Sequence, residues 1–155
     1  MNTRLNQTNW VLKTFETLTP FELYKILKLR SEVFVVEQNC VFLDMDNRDQ
    51  FSYHLLGLVE NNLAAYTRLI AAQKVYDYVS IGRVVTSPQY RKLGIGKELM
   101  KISIKKCYEL FGEVPIKIGA QLYLKKFYES FGFTQSSQVY DEDGIDHIEM
   151  IKPAP

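Results

Sequence analysis

The sequence has little that would indicate a metal site, a disulfide scaffold or a nucleic-acid-binding protein. It has two cysteines, Cys40 and Cys107, and two histidines, so no Cys/His cluster has the spacing of metal ligands. Its 19 basic and 18 acidic residues give a formal net charge of +1, whereas domains that bind nucleic acid usually carry a strong basic excess. We therefore expect no metal and no nucleic-acid partner.

Long apolar runs and low-complexity tracts are also absent. The stretch MNTRLNQTNWVLK lacks the apolar run of a signal peptide, and no segment is long enough to span a bilayer. We therefore expect no membrane partner and, with few cysteines, a reducing cytoplasmic location. The length of 155 residues predicts a single domain, residues 1–155, with a core large enough to fold without disulfides.

Hydrophobic patterning predicts alternating strands and helices. The run WVLKTFETL favours a first strand, and Thr19, Pro20 and Glu22 form a capping box that starts a helix. Two β-rich runs flank Asn61-Asn62, which predicts a hairpin, and VYDYVSIGRVVTS is a third β-rich run.

The second half of the chain continues this alternation. Apolar residues recur at helical spacing over 96–111, VPIKIGA predicts a short strand, and LYLKKFYESFGF predicts a helix closed by Gly132. The tail reads as one more β-rich run through DHIEMI. The order β, α, β-β-β, α, β, α, β predicts an α/β protein with a mixed sheet and helices on its faces.

The stretch SPQYRKLGIGKEL, residues 87–99, carries the strongest functional signal. Glycines at the start of a helix let an anion approach unpaired backbone N–H groups, and adjacent cations add charge, which is typical of a pyrophosphate site. The alternative is a loop that needs glycine for its turn. A Rossmann motif would need glycine where Leu99 stands, and a P-loop would need serine or threonine in place of Glu98.

VVTSPQYRKLGIGKELM resembles the acetyl-CoA motif of the GNAT superfamily of acyltransferases, [R/Q]-x-x-G-x-[G/A]. LKKFYESFGF is similar to the next motif of that superfamily, and RSEVFVVEQNCVFLDMDNRDQFSYHLLG and DGIDHIEM resemble its ElaA-like branch. The resemblance runs from Trp10 to Ile151. It implies a GNAT-like fold, with a mixed, mostly antiparallel central sheet, helices on both faces and a splayed pair of strands at the cofactor site.

The resemblance also implies acetyl-CoA as acyl donor. The backbone of Val84, Val85 and Thr86 would bind the pantetheine amides by strand addition. The N–H groups of the following loop and helix start would hold the pyrophosphate; this segment consists of Arg91, Lys92, Leu93, Gly94, Ile95, Gly96 and Lys97.

For catalysis, the resemblance matches Tyr128 to a general acid that protonates the departing thiolate. The alternatives are Tyr123, or a Tyr128 that only packs among aromatic neighbours. A general base for the amine is left open between Glu37, His54 and His147.

We expect transfer of an acetyl group from acetyl-CoA directly to an amine, which makes the chain an N-acetyltransferase. The acceptor is left open between a small-molecule amine and a peptide amine, and a homodimer is expected by analogy alone. The rivals are a non-catalytic acyl-CoA-binding module and a protein-interaction module of the same fold. Asp44, Asp46 and Asp49 would form a solvated acidic loop or attract a cationic amine, and Arg83 would pair with buried polar groups.

Overall fold

A computed structural model describes residues 7–155; residues 1–6 of the predicted 1–155 domain lie outside the described residues. The described residues form one eight-stranded sheet in the spatial order β1-β2-β3-β4-β5-β8-β6, with β7 also paired to β8. Its strands are β1 Asn9–Thr14, β2 Tyr53–Val59, β3 Asn62–Ile70, β4 Val79–Thr86, β5 Ile116–Gln121, β6 Thr134–Gln135, β7 Tyr140–Glu142 and β8 Ile145–Lys152.

The sheet is mixed and mostly antiparallel, as predicted, because β4 and β5 alone form a parallel pair among the described strands. The prediction of a single β-rich run at the C-terminal end was too coarse. That region contains three strands, and β7 and β8 form a hairpin around Asp143 and Gly144, which have φ angles of 53° and 84°. Residues with positive φ at both turn positions are typical of tight hairpins.

The helices are α1 Pro20–Arg30, α2 Ile95–Phe111 and α3 Lys125–Glu129. The capping box of α1 is confirmed, since Glu22 N donates to Thr19 Oγ1 at 3.1 Å and Thr19 N donates to Glu22 Oε1 at 2.8 Å. A π-helical segment, Ser31–Glu37, continues α1. The last predicted helix is shorter than expected, because Leu122–Leu124 form a 3-10 turn, while Gly132 has the expected left-handed φ of 93°.

The turn of the β2–β3 hairpin lies one residue earlier than predicted. Glu60 and Asn61 have φ angles of 51° and 67°, and Asn62 is already the first residue of β3. The prediction rested on the tolerance of asparagine for positive φ, but a glutamate occupies the first turn position.

Alternating residues of the strands place the helices on opposite faces of the sheet. Leu56 belongs to an apolar cluster with Ile26 of α1, whereas its neighbour Leu55 packs with Leu99 of α2. Since successive side chains of a strand point to opposite faces, α1 covers one face and α2 the other, as predicted.

Strands β4 and β5 diverge soon after they meet. Their pairing is limited to Val79 with Ile116 and Ser80 with Lys117. Beyond that point β4 stays with β3, where the register shifts and Arg83 has a left-handed φ of 50°. Such a bulge bends a strand, and a non-glycine residue in this conformation must be held by its surroundings. The bulge therefore belongs to the splayed pair of strands that the family resemblance implies.

A closed ring of six charged side chains lies beside this bulge. Arg30 contacts Asp44 and Asp49 at 2.7 Å each, Arg68 contacts Asp49 at 3.0 Å and Asp46 at 2.7 Å, and Arg83 contacts Asp44 at 2.8 Å and Asp46 at 3.5 Å. Positive and negative groups alternate around the ring, and it joins α1, β3 and β4 to the loop that precedes β2.

The ring is largely buried, and its charges keep Asp46 and Asp49 ionised. Burial alone would raise the pKa of Asp46, but hydrogen bonds and charge from Arg68 outweigh burial and lower that pKa to about 2. Burial opposes ionisation of Asp49 in the same way, and Arg30 and Arg68 together lower its pKa. The expectation of a solvated acidic loop was wrong, because Asp44 and Asp49 are buried and Asp46 is held by Arg68. Asp46 lines the cleft, but both of its carboxylate oxygens accept hydrogen bonds from Arg68, so it is not a free carboxylate for a cationic amine. The expected pairing of Arg83 with buried polar groups is confirmed.

We expect Arg30→Met to lower the free energy of unfolding by about 3 kcal/mol, because it leaves two buried aspartates short of a cation. For a chain of this length the melting temperature should fall by about 6 to 12 °C. Calorimetry or thermal unfolding measures both quantities.

The matched control is Lys106→Met, which removes a cation from the exposed pair with Glu109 at 3.1 Å. This change should cost no more than about 0.5 kcal/mol. Equal losses for the two variants would contradict the structural role of the ring.

Candidate active site

A cleft of about 680 Å³ opens where β4 and β5 diverge. Its walls come from the bulged end of β4, the π-helical segment after α1, α3, and the β7–β8 hairpin. The volume is in the range of cavities that bind small molecules and cofactors. The cleft thus lies at the splay, with elements from both halves of the chain around it.

The glycine loop shapes one end of the cleft. Lys92 and Gly94 have φ angles of 67° and 78°, and these turns direct the chain into α2. The first helical hydrogen bond of α2 runs from Glu98 N to Gly94 O and is 3.2 Å long. The N–H groups of Ile95, Gly96 and Lys97 lie before it and therefore have no acceptor within the helix. No described side chain caps these groups. A helix start of this kind favours an anion.

Gly96 brings the helix start close to the end of β4. A Cβ at this position would lie in ordinary van der Waals contact with Thr86 Cγ2, at 3.7 Å, so the two segments are close neighbours. Of the ten residues that the sequence assigns to cofactor binding, the cleft is lined by Val84, Val85, Thr86, Arg91 and Gly96. The others lie in the loop or helix start without lining the cleft: Lys92, Leu93, Gly94, Ile95 and Lys97.

Tyr128 lies in the opposite wall and is 5% exposed. Its ring packs edge-on against Phe127 and Phe133, with centroids 5.2 and 6.2 Å away, which fixes its orientation. Burial raises the pKa of its hydroxyl, so the group stays protonated at neutral pH. Among residues 7–155 this hydroxyl makes no hydrogen bond, which leaves its proton available within the cleft.

Glu37 also lines the cleft, but it is tied to the glycine loop. Its Oε1 lies 2.7 Å from Nη2 of Arg91, and both side chains are partly exposed. Glu37 is therefore close to the loop that presents the free N–H groups.

His147 lies in the cleft wall on β8 and is 8% exposed. Its Nδ1 lies 2.7 Å from the carbonyl oxygen of Ile145, and since a carbonyl accepts, Nδ1 carries a proton. Its Nε2 lies 3.1 Å from Oε2 of Glu142, and the ring of Tyr140 stacks on the imidazole at 5.9 Å. The hairpin thus holds this histidine in one orientation.

His54 lies outside the cleft, which corrects its place among the candidate bases. It is fully buried, its Nδ1 accepts from the hydroxyl of Tyr66 at 2.6 Å, and its Nε2 donates to the carbonyl of Asp49 at 2.9 Å. Burial lowers the pKa of the imidazole, which keeps it neutral. Both ring nitrogens are occupied, so His54 supports the fold beside the ion ring.

Glu142 and Cys40 are among the cleft-lining residues that were absent from the sequence-based site. Glu142 precedes the Asp-Gly turn of the last hairpin, and that turn signal in DEDGID could have placed it there. Cys40 is buried in the wall, and its thiol donates to the carbonyl of Asp143 at 3.1 Å. Cys107, in contrast, is a core residue whose burial raises the thiol pKa to about 12.

Over residues 7–155, no group of three or more histidine, cysteine, aspartate or glutamate side chains could hold a metal ion. In the same part of the chain, no helix is both long and apolar enough to cross a membrane.

Comparison with known proteins agrees with this geometry. Residues 32–154 match the family model of the acetyltransferase (GNAT) domain. Protein ElaA of Escherichia coli is 40% identical over 137 residues, which cover 87% of this chain and 90% of ElaA. The crystal structure of E. coli ElaA matches with a TM-score of 0.88 at 37% identity, covering 94% of this chain and 99% of that one.

An acyl-CoA N-acyltransferase from Pseudomonas aeruginosa matches with a TM-score of 0.90 at 37% identity, over 94% of this chain and 99% of that one. A GNAT family acetyltransferase from Elizabethkingia anophelis, solved with acetyl-CoA bound, shares the fold with a TM-score of 0.63 at 15% identity, over 94% and 97% of the two chains. The chain belongs to the GNAT acetyltransferase family.

Proposed function

We propose that this chain transfers an acetyl group from acetyl-CoA directly to an amine, without a covalent enzyme intermediate. The observation that carries the proposal is the cleft itself, in which diverging strands, a free helix start and a buried tyrosine face one space. A small-molecule amine and a peptide amine both fit this proposal as acceptors, and a homodimer remains an expectation.

The donor would be held mainly by backbone groups. The N–H groups from Arg91 to Lys97 would bind the pyrophosphate, and the guanidinium of Arg91 would add charge. The edge of β4 at Val84–Thr86 has no β5 partner in the described sheet, so it can accept the pantetheine amides as an added strand. The buried side chain of Val85 fits this role, because the contact would be made by the backbone.

Acetyl-CoA supplies the activated acetyl thioester. Tyr128 would donate its hydroxyl proton to the sulfur as the thiolate leaves, and the raised pKa keeps that proton in place until then. A backbone N–H on the splayed strand would stabilise the charge that develops on the carbonyl oxygen.

His147 supports the role of general base better than the other candidates. Its Nδ1–H is held by the carbonyl of Ile145, so Nε2 is the nitrogen that can accept a proton. Glu37 is engaged with Arg91 at the phosphate end, and His54 lies outside the cleft. We therefore assign the base to His147 and a role near the donor to Glu37.

The experiment that tests this function is steady-state acetylation of an amine panel by the wild type and Tyr128→Phe. We expect the variant to lose about 100-fold in kcat, because general acid catalysis contributes on that order. Acetyl-CoA affinity, measured by calorimetry, should stay within about 2-fold, since the aromatic ring and its packing remain. Equal rates for the two proteins would contradict the acid role of Tyr128, and binding of acetyl-CoA with no turnover by either protein would favour a non-catalytic acyl-CoA-binding module.

A second prediction concerns the pair of Arg91 and Glu37. Arg91 must leave Glu37 to reach a pyrophosphate, so Glu37→Gln should tighten CoA binding by about 3-fold, the size of an exposed ion pair. The value of kcat should change little, because His147 serves as the base. Glu32→Gln, on the same π-helical segment but exposed and outside the cleft, is the matched control. A large loss of kcat with unchanged CoA affinity would instead identify Glu37 as the base.

A further inference from the structure

The β7–β8 hairpin brings a carboxylate and an imidazole together in the cleft wall. Glu142 Oε2 lies 3.1 Å from His147 Nε2, and both residues line the cleft. The hairpin is fixed by its tight turn at Asp143-Gly144 and by the thiol of Cys40, which donates to the carbonyl of Asp143. The pair is thus held against the cleft from two sides.

Glu142 differs from the other carboxylates around the cleft in its partners. Glu37 is paired with Arg91, and Asp46 is paired with Arg68 in the ion ring. Within the described residues, no lysine or arginine lies within ion-pair distance of Glu142, and His147 is its partner. Glu142 therefore offers a negative charge that no permanent cation of the chain neutralises.

The contact between Nε2 of His147 and Oε2 of Glu142 also requires a proton between the two atoms. Because Nδ1 of His147 donates to Ile145, a neutral imidazole turns the lone pair of Nε2 toward the carboxylate. Two acceptor atoms at this distance repel each other unless a proton or a cationic N–H group lies near both. A solvent proton on Nε2 would meet this requirement before an amine binds, as an imidazolium paired with the carboxylate. An alkylammonium ion, which has several N–H groups and one positive charge, would meet it in the amine complex and would displace that proton.

We propose that Glu142 and His147 together bind the ammonium group of the acceptor, so that the site selects primary amines that are cationic in solution. This inference rests on the proposed function. One N–H would point to Oε2 of Glu142 and another to Nε2 of His147. Because the N–H bonds of an ammonium ion point in tetrahedral directions, Oε2 of Glu142 and Nε2 of His147 would have to move apart by ~1.5 Å to accept from two of them. The side chain of Glu142 is 57% exposed, so it is free to make this movement.

The proposed step balances in protons and electron pairs. One ammonium proton passes to Nε2 of His147 and then to solvent, and the freed nitrogen lone pair forms the C–N bond as the C–S bond breaks. Tyr128 gives its proton to the departing sulfur and regains one from the acylated nitrogen. The products are an amide that retains one N–H, free CoA thiol and one released proton. Glu142 binds the cation and does not exchange protons with the reacting atoms.

The test is calorimetric titration of amines into the full chain saturated with CoA, which has no acetyl group to transfer. The probes are benzylamine and n-butylamine, which are cationic at pH 7.5, and aniline, which is neutral. Glu142→Gln should weaken binding of the two cationic amines by about 10-fold, as expected for loss of a charged hydrogen-bond partner. Its affinity for aniline and for CoA should stay within about 2-fold of wild type.

Asp146→Asn is the matched control. Asp146 lies on the same hairpin, is exposed, and points away from the cleft because it alternates with Ile145 and His147 along β8. This variant should bind the cationic amines within about 2-fold of wild type. A role that only supports the hairpin would lower the melting temperature and weaken CoA and all amines together.

Three results would overturn the inference: wild type that binds no cationic amine in the presence of CoA, equal losses for Glu142→Gln and Asp146→Asn, or an equal loss for aniline. Turnover with acetyl-CoA is measured separately on the same amines. Wild type that binds these amines but never acetylates them contradicts the proposed function while supporting the ammonium site. If wild type acetylates these amines while Glu142→Gln binds them as tightly as wild type, the result supports the proposed function and contradicts the ammonium site.

Discussion

Strand β4 diverges from β5, and a ring of six alternating charges holds β4 in place at the point of divergence. Arg83 sits at the bulge with a left-handed φ of 50°, and its guanidinium is fixed by Asp44 and Asp46. The same aspartates bind Arg30 of α1 and Arg68 of β3, so the loop before β2 is fastened to three elements at once. A buried charge is tolerated only when it is paired and hydrogen-bonded. Loss of one member of the ring would therefore leave its buried neighbours without a partner.

The divergence of β4 and β5 creates the cleft and unites features that are far apart in the chain. The glycine loop delivers free N–H groups at one end, α3 delivers Tyr128, and the last hairpin delivers Glu142 and His147. The helix start and Arg91, which is paired with Glu37, lie at the glycine-loop side of the cleft, while Glu142 is paired with His147 and with no lysine or arginine of the described residues. In the proposed function, the glycine-loop side would bind the anionic part of the donor and the hairpin side would bind the cationic acceptor. This division fits a site that brings a pyrophosphate and an ammonium together.

Local signals allowed much of the fold to be predicted from the sequence. The capping box at Thr19, the left-handed glycine at Gly132 and the periodicity of α2 each depend on residues close in the chain. The glycine loop was likewise recognisable, because its spacing between a β-rich run and a helix carries the chemistry. The split of the C-terminal run into three strands was missed, although Asp143-Gly144 was a turn signal.

The parts that could not be predicted depend on distant partners. Three aspartates within six positions look like a solvated loop, yet the arginines that bury them lie 14 to 39 positions away. His54 and His147 both stand in β-rich runs, and only the folded sheet shows that one is enclosed by Tyr66 while the other faces the cleft.

The most direct test of the central claim, that the splayed cleft is a CoA site, is the melting temperature with acetyl-CoA, CoA, NAD and ATP in parallel. A ligand at 100 times its Kd stabilises the folded state by about 2.7 kcal/mol. For a chain of this length that corresponds to a rise of about 5 to 10 °C. The account predicts this rise with acetyl-CoA and CoA and little change with NAD or ATP. No rise at millimolar acetyl-CoA would contradict it.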